Sequence, residues 1–511
     1  MQVNQLKAGT ILSYLQTGLS VLLGLLYTPV MIRLLGKNEY GLYNTVVSTI
    51  SMLSILSLGF NSGYIKFYST YRKNGDWESI NRLNGLFLLI FAVIGLIALL
   101  CGLYLMRHLD LVFIDGLTTE EYGTARTLML LLTLNLAVSF PMSVFQNIIS
   151  AHERFVFLKI LVILRTVMGP LLTLPLLLMG YRSVAMVLVT VAVSFAVDIC
   201  YYIYVVYKLK EKFWFSHFEK GLIKSLFGFT AFVAINMVID QINWNIDKVL
   251  LGRFRGTAMV AVYAVGYNLY NYYMTISLGV SGVFTPRIHR ICNDFGHDQA
   301  ALTSQLTELF IKIGRIQFLV LGLIATGVIF FGRSFIYFWV GTGYEESYPV
   351  ALLLILPASI ALIQNAGIEI QRAENKHRFR SIVYAGMALI NLGLSIWLCQ
   401  RYGAVGSAFG TAVSLILANG LIMNIYYHRH CNIDILKFWK NILRMCLGLL
   451  IPCVLGFAAS RFLVFENFFY LVLGVLLYTA VYCVSVWMLS MNTYEKDLLR
   501  KLFRRILPRV H

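Results

Sequence analysis

The chain has 511 residues, of which 59% are hydrophobic and 13% are charged. This composition excludes an ordinary soluble domain, in which about 25% of residues are charged. The formal net charge of +18 at pH 7 suits a protein that binds nucleic acid or a membrane surface, and its distribution along the chain decides between the two.

Apolar stretches long enough to cross a bilayer, which takes about 20 residues, recur throughout the chain. The sequence predicts an all-α polytopic membrane protein with about 14 transmembrane helices. The first stretch contains Pro29 and Arg33 and lacks a small-residue cleavage site, so we expect a retained helix rather than a signal peptide. The predicted spans lie near 10–35, 41–64, 85–106, 126–150, 155–179, 183–207, 225–252, 257–286, 311–340, 348–370, 381–400, 403–427, 439–461 and 468–490.

Most Lys and Arg residues fall on one side of the predicted membrane, in clusters such as 208–224, 372–380 and 496–509, whereas the loop at 107–125 is acidic. The positive-inside rule then predicts a multi-pass protein of the cell (cytoplasmic, inner) membrane with both termini in the cytoplasm. The basic clusters are expected to contact anionic membrane lipids, and no nucleic-acid partner is predicted. The cysteines show no metal-binding spacing, so neither a metal nor a cofactor is expected.

Two ionisable residues lie near the predicted midplane in consecutive spans. Arg165 is in span 5 and Asp198 is in span 6, and neighbouring antiparallel spans allow them to meet. One interpretation is a structural ion pair. The other is that Arg165 attracts an anionic headgroup or that Asp198 carries a coupling proton.

Span 7 is the most polar of the spans. Asn236, Asp240, Asn243 and Asp247 recur at spacings of 4, 3 and 4, which places them on one helical face, with Lys248 on a neighbouring face. Polar contacts between helices are the simpler explanation. A face this polar favours a hydrophilic cavity, with Asp240 as a second candidate for ion coupling.

Span 8 carries an unusual row of tyrosines. Tyr263, Tyr267 and Tyr270 share one face within VYAVGYNLYNYYMTISLG (262–279). A tyrosine ring is apolar with a polar tip, which suits sugar faces and hydroxyls. An interfacial aromatic belt is the alternative and accounts for Tyr263, near the predicted outer end.

Cationic residues mark the predicted ends of several spans. Arg33 and Lys248 lie near outer ends, while Arg287 and Arg315 lie near inner ends. They are candidates for stabilising a pyrophosphate on entry and release. Snorkelling towards lipid headgroups is the alternative.

Short sequence motifs of the first half of the chain recur in the second half, in the same order and at an offset of about 220 residues. Leu34-Leu35-Gly36 recurs as Leu250-Leu251-Gly252, and Gln146-Asn147 recurs as Gln364-Asn365. An even number of spans separates the copies, so we expect two parallel six-helix lobes plus two extra C-terminal helices. The predicted domains are an N-lobe (1–209), an inter-lobe loop (210–223), a C-lobe (224–430), and two further helices with a basic tail (431–511).

The runs PVMIRLLGKNEYGLYN (29–44), SLGFNSGYIKFYSTYR (57–72) and WNIDKVLLGRF (244–254) resemble those of bacterial polysaccharide flippases. Their superfamily also contains multidrug extruders and peptidoglycan-precursor flippases. The resemblance implies alternating access through a central cavity and no covalent chemistry. The peptidoglycan-precursor branch has cavity arginines in helices 1 and 2, and the matching positions here are near Tyr27 and Ser54, which is a departure from that branch.

The leading hypothesis is therefore a non-enzymatic flippase that carries an undecaprenyl-pyrophosphate-type, lipid-linked oligosaccharide for cell-surface polysaccharide. A polymerase and glycosyltransferases are expected as possible partners. The second hypothesis is a proton- or cation-coupled antiporter of the same superfamily, although the extra helix pair argues against a twelve-helix extruder. A membrane-embedded glycosyltransferase and a nucleotide-driven pump are disfavoured because the sequence has neither a D-x-D motif nor a phosphate-binding loop.

Overall fold

A computed structural model gives the fold. Within the residues it describes, the regular structure is helical and contains no β-strand. The all-α class predicted from the sequence is thereby confirmed. The described residues are 4–113, 117–215, 220–295, 297–374, 376–431, 433–462 and 465–506.

The α-helices of the described ranges follow one another with short connections. They are α1 (Gln5–Leu35), α2 (Lys37–Met52), α3 (Phe60–Asn74), α4 (Trp77–Arg107), α5 (Thr119–Ala151), α6 (Phe155–Leu178), α7 (Ser183–Ile203), α8 (Lys220–Arg255), α9 (Thr257–Ser281), α10 (Thr285–Asp294), α11 (Gln299–Val340), α12 (Ser347–Ile363), α13 (Ala366–Ala373), α14 (His377–Leu415), α15 (Met423–His430), α16 (Ile435–Met445), α17 (Leu450–Phe462), α18 (Phe468–Leu489) and α19 (Thr493–Ile506). Short 3-10 turns lie at Leu53–Ser57, Leu109–Leu111, Gly282–Phe284 and Cys446–Leu449, and π-helical turns lie at Tyr204–Leu209 and Ile416–Ile422.

Local sequence explains where many helices begin. Side chains of Asn4, Asp76, Asp298 and Asn467 accept backbone N–H groups in the first turns of α1, α4, α11 and α18. Thr118 and Glu121 form a reciprocal capping box at α5. Each cap satisfies donors that the first helical turn leaves without a partner.

Ten helical stretches of the described chain are long and apolar enough to cross a membrane, or eleven if the bent pair Ser347–Ile363 and Ala366–Ala373 is one span. Helices α8 and α9 have spanning lengths of 36 and 25 residues and are not among these ten stretches. One stretch, Arg378–His430, has 53 residues, about 80 Å of helix, which is enough for two crossings. The structure is thus consistent with the fourteen predicted spans.

A glycine interrupts this longest stretch. Gly403 has φ 59° and ψ −135°, a backbone conformation that side chains with a Cβ rarely adopt. The helical hydrogen-bond pattern cannot continue smoothly through such a residue. The predicted division between spans 11 and 12, at residues 400–403, coincides with this break.

The chain packs into two compact units. Unit 1 comprises Met1–Ala264 and Leu392–Ser407, and unit 2 comprises Val265–Asn391 and Ala408–His511. These units are defined by packing, whereas the predicted lobes are defined by sequence repetition. The repeat, with its boundaries near residues 210 and 224, remains a prediction.

Unit 1 has two apolar cores at different levels of its helices. One is aromatic and includes Phe60, Tyr64 and Phe87, whose rings meet edge to face at centroid distances of 5.1 to 6.3 Å. The other is mainly aliphatic and includes Leu42 and Val187. Close approach of helices adds to this packing, since a Cβ on Gly41 of α2 would overlap the carbonyl oxygen of Thr257.

Unit 2 contains an aromatic core between α11 and the last two apolar helices. Phe331, Leu471 and Tyr478 are buried there, with the Phe331 and Tyr478 ring centroids 5.4 Å apart. Tyr482 also donates a hydrogen bond to the Leu319 carbonyl at 2.9 Å. The predicted extra helix pair is therefore packed firmly within unit 2.

Candidate functional site

The polar face of α8 divides into an open part and a closed part. Asp240 is exposed, and Asn236 and Asn243 are half-buried. Asp247, two turns further along the same face, is only 2% exposed. The spacing correctly placed these side chains on one helix, but their surroundings differ.

Hydroxyl groups enclose the Asp247 carboxylate within unit 1. Tyr263 donates to Oδ2 at 2.8 Å, and Ser407 donates to Oδ1 at 2.7 Å. Lys248, the next residue, is also buried, with 9% of its surface exposed. Two predicted site residues, Asp247 and Tyr263, thus meet directly, while Ser407 was not singled out from the sequence. The closed part of α8 is a hydrogen-bonded anchor.

The neighbouring polar side of α8 contacts the 3-10 turn that follows α2. Gln241 donates to the Ser54 hydroxyl at 2.9 Å and accepts from Asn245 at 2.6 Å. Ser57 contacts the Met237 sulfur at 3.8 Å. These contacts are the interhelical polar packing that small hydroxyl residues commonly make in membranes.

The tyrosine row of α9 continues in unit 2. Tyr267 is half-buried and its ring lies 5.8 Å from that of Tyr270. Tyr270 is 3% exposed and contacts the Met274 sulfur at 3.6 Å. The buried Tyr273 shares a 2.6 Å hydrogen bond with Ser359. Of these rings, Tyr267 has the most accessible face.

Arg165 and Asp198 occupy neighbouring helices, α6 and α7. The exposed Arg165 side chain donates to Ser194 Oγ at 2.7 Å, one turn before the half-buried Asp198. Among the ion pairs of the described residues none joins Arg165 to Asp198, although the guanidinium attracts that carboxylate through space. Both side chains thus keep part of their surface exposed at the surface of unit 1.

The remaining predicted cations have different environments. Arg33 is exposed at the end of α1. Arg287 and Arg290 line a cavity of about 470 Å³ at α10 together with Gln305. Arg315 is buried in unit 2, where it contacts Glu495 of α19 at 2.5 and 2.9 Å and the Ser490 carbonyl at 2.8 Å. In the structure, Arg315 pairs with Glu495, a residue distant in sequence that the position of Arg315 did not indicate.

A polar cluster in unit 1 was not anticipated from the sequence. The Glu211 carboxylate accepts from Asn84 at 2.9 Å and Tyr68 at 3.1 Å and lies 2.7 Å from His152 Nε2. Burial raises the pKa of this carboxyl, but its hydrogen bonds to His152, Asn84 and Tyr68 outweigh burial and hold the pKa below its usual value. The cluster anchors the segment that follows α7 to α3, α4 and α5.

The fold defines the class of protein, a multi-pass membrane protein with polar side chains on several of its helices. The sequence profile described as Polysaccharide biosynthesis protein matches residues 6–292, more than half of the chain. The chain therefore belongs to this family, and the family assignment made from the sequence is confirmed.

One curated relative is the "Putative O-antigen transporter" of Shigella flexneri. It is 20% identical over 418 residues, which cover 78% of this chain and 92% of the relative. The likeness to this relative therefore extends beyond the 6–292 range of the family match.

Solved structures share the fold at low sequence identity. The Lipid II flippase MurJ in an inward closed conformation has a TM-score of 0.66 and 16% identity, covering 98% of this chain and 100% of that one. An inward-facing multidrug resistance MATE transporter of the MOP superfamily has a TM-score of 0.62 and 13% identity, covering 84% and 96%. These likenesses establish the fold alone.

Proposed function

We propose that the protein is a flippase that moves a lipid-linked oligosaccharide across the cytoplasmic membrane for cell-surface polysaccharide biosynthesis. The observation that carries this proposal is the exposed Asp240, with half-buried Asn236 and Asn243, in a spanning helix of a member of the polysaccharide family. A polar face is costly against lipid. It is useful where a hydrated sugar headgroup must pass.

The substrate we propose is an undecaprenyl-pyrophosphate-type glycolipid whose headgroup crosses by alternating access while its tail stays in the bilayer. Arg165 is the residue best placed to attract the pyrophosphate, because its exposed guanidinium lies well inside α6 and lacks an ion pair with a described residue. Amide groups of Asn236 and Asn243 offer donors and acceptors to sugar hydroxyls. We assign Asp240 to a coupling proton or cation, because a carboxylate repels pyrophosphate.

An ion-coupled antiporter of drugs or metabolites is the second proposal. The exposed carboxylate of Asp240 favours it, since a negative side chain inside a span suits a cationic substrate. The MATE likeness supports only the fold that both proposals share. The two differ in cargo, so transport of a glycolipid separates them.

The decisive experiment is flipping by the purified chain in liposomes. A fluorescent undecaprenyl-pyrophosphate oligosaccharide in both leaflets should lose its protection from an external quencher when the chain is present. Arg165→Gln should slow this loss about tenfold or more, whereas Lys159→Gln, on the same helix, is the matched control. Transport of cationic dyes without glycolipid flipping would instead establish the antiporter.

The same proposal places both termini in the cytoplasm and makes a polymerase and glycosyltransferases possible partners. Cysteines introduced at the exposed positions Lys210 and Asp110 test the sidedness in a cysteine-free background. An impermeant thiol reagent should label position 110 in intact cells and leave position 210 unlabelled. Labelling of position 210 would reverse the topology.

A further inference from the structure

An aromatic pocket lies in unit 2. Its volume is about 650 Å³, within the range of ordinary small-molecule sites. The charge distribution of the sequence predicts that this end of α11 faces outside. The residues that matter for its chemistry are Arg333, Tyr337, Tyr344, Tyr348, Phe465 and Glu466.

The first wall of the pocket is the turn between α11 and α12. Gly341 and Gly343 have φ of 96° and 84°, which lets the chain reverse tightly. The Glu345 carboxylate accepts the Gly343 N–H at 3.0 Å. Tyr348 is held by donation to the Ile329 carbonyl at 2.6 Å. The wall is therefore formed by backbone and side chains that are already positioned.

The second wall comes from Phe465 and Glu466, shortly before α18. The Phe465 ring lies 5.9 Å from that of Phe331 and packs beside Gly474. Asn467 then caps α18 by accepting the Tyr470 N–H at 3.1 Å. The two extra C-terminal helices thus supply Phe465 and Glu466 to a pocket that a twelve-helix chain would lack.

The pocket combines aromatic faces with charges of both signs. Tyr337 is 54% exposed, and Arg333 and Glu466 are also exposed. Neither Arg333 nor Glu466 forms an ion pair with another described residue. A purely anionic ligand would be repelled by the carboxylates of Glu345 and Glu466, and a purely apolar ligand would gain nothing from these carboxylates or from Arg333. Flat rings beside strong donors and acceptors match the apolar faces and hydroxyl edges of sugars.

We propose that this pocket is a carbohydrate-binding subsite that receives sugar rings of the transported oligosaccharide at the outer face. The choice of ligand rests on the proposed flippase function. Tyr337 provides the stacking surface, while Arg333 and Glu466 hydrogen-bond to hydroxyls. This assigns the extra helix pair a role in the release of the glycan, in addition to its packing against α11.

Binding is tested with the full chain in nanodiscs and a lipid-free probe. The probe is the repeat-unit oligosaccharide released by mild acid from the lipid carrier of the source cells, and saturation-transfer NMR measures its affinity. Tyr337→Ala should weaken binding about tenfold, and Glu466→Gln should weaken it less. Tyr181→Ala is the matched control, because Tyr181 is a comparably exposed tyrosine (56%) outside the pocket. Equal affinity in all four proteins, or no binding by the unmodified chain, would overturn the proposal.

Polysaccharide export in a deletion strain separates this inference from the proposed function. Restored export by the unmodified chain with reduced export by Tyr337→Ala/Glu466→Gln, at equal protein level and melting temperature, supports both. Restored export by both chains, with equal probe affinity, overturns the subsite and leaves the flippase intact. If the unmodified chain restores no export yet binds the probe in a Tyr337-dependent way, the subsite stands and the flippase assignment fails.

Discussion

Asp240 and Asp247 are two carboxylates on the same face of one helix, yet they have opposite environments. Asp240 is exposed, whereas Asp247 is 2% exposed and accepts hydrogen bonds from the hydroxyl groups of Tyr263 and Ser407. A buried carboxylate is tolerated only when strong donors replace its water. An exposed carboxylate carries no such requirement where water can reach it, and Asp240 is proposed to face a hydrated cavity.

The comparison suggests a division of labour along α8. The closed part fixes the helix against its neighbours, and the open part provides a polar surface. We therefore expect substitutions at the closed part to reduce stability and substitutions at the open part to alter transport.

Disrupting the buried ion pair of Arg315 and Glu495 should give the largest loss in the free energy of unfolding among the buried carboxylates considered. The two side chains are 8% and 3% exposed. Glu495→Ala leaves the guanidinium buried without its carboxylate, so the free energy of unfolding should fall by about 3–5 kcal/mol. Thermal unfolding in detergent measures this. Asp497→Ala is the control, because its carboxylate is exposed.

A double variant sharpens that result. Arg315→Met combined with Glu495→Leu removes both charges, and replacing a buried pair with apolar groups is often close to neutral. The double variant should therefore be more stable than Glu495→Ala. Equal destabilisation of the two would show that the loss comes from packing of α19 and not from an unpaired charge.

Asp247→Ala should cost about 2–3 kcal/mol of stability, because it leaves the buried hydroxyls of Tyr263 and Ser407 without their acceptor. Thermal unfolding measures the loss. Ser407→Ala removes one donor and should cost less. If Asp247→Ala unfolds at the same temperature as the unmodified chain, the hydroxyl network is not what holds α8, and the division of the helix into open and closed parts is wrong.

Glu211 is a buried, hydrogen-bonded carboxylate that lies outside the spans. Glu211→Gln should lower stability by about 1–2 kcal/mol at neutral pH, since charge-assisted hydrogen bonds are lost. The folded pKa of Glu211 lies below its unfolded value of about 4.5, so its stabilisation is fully present above that value. It is lost as pH falls through the folded pKa.

Unfolding followed from pH 7 downward should therefore show the two proteins converging in acid. Glu308→Gln provides the comparison, because the Glu308 carboxylate is exposed and pairs with Lys312 on its own helix. A constant difference between Glu211→Gln and the unmodified chain across the whole pH range would contradict a role for the charge of Glu211.

Much of the fold was accessible from the sequence because hydropathy and helical periodicity are local properties. They placed the spans, the break near Gly403 and the polar face of α8. The partners of that face were not accessible, because Ser407 is 160 residues from Asp247 and Glu495 is 180 residues from Arg315. The same limit applies to Arg165, for which a structural ion pair with Asp198 was one of two interpretations and whose described hydrogen bond is to Ser194. Only the folded chain determines which donor reaches which carboxylate.

Asp240→Asn should have the smallest effect on stability, within about 0.5 kcal/mol, because the side chain is exposed and the substitution buries no new polar group. Its effect should appear in transport instead. The amide keeps the shape and polarity of the side chain but cannot carry a coupling charge. Glycolipid binding should persist while flipping loses its dependence on an imposed proton or sodium gradient.

Two measurements make this last prediction decisive. A cysteine at position 240 should react with a small hydrophilic thiol reagent, whereas cysteines at the buried positions Ile239 and Leu251 should be protected. Flipping by Asp240→Asn is then compared in liposomes with and without each ion gradient. Retained gradient dependence would remove Asp240 from coupling. Asp247 has the same chemistry as Asp240 but is enclosed by its hydroxyl donors. The coupling role would then be assigned to Asp198, the half-buried carboxylate near Arg165.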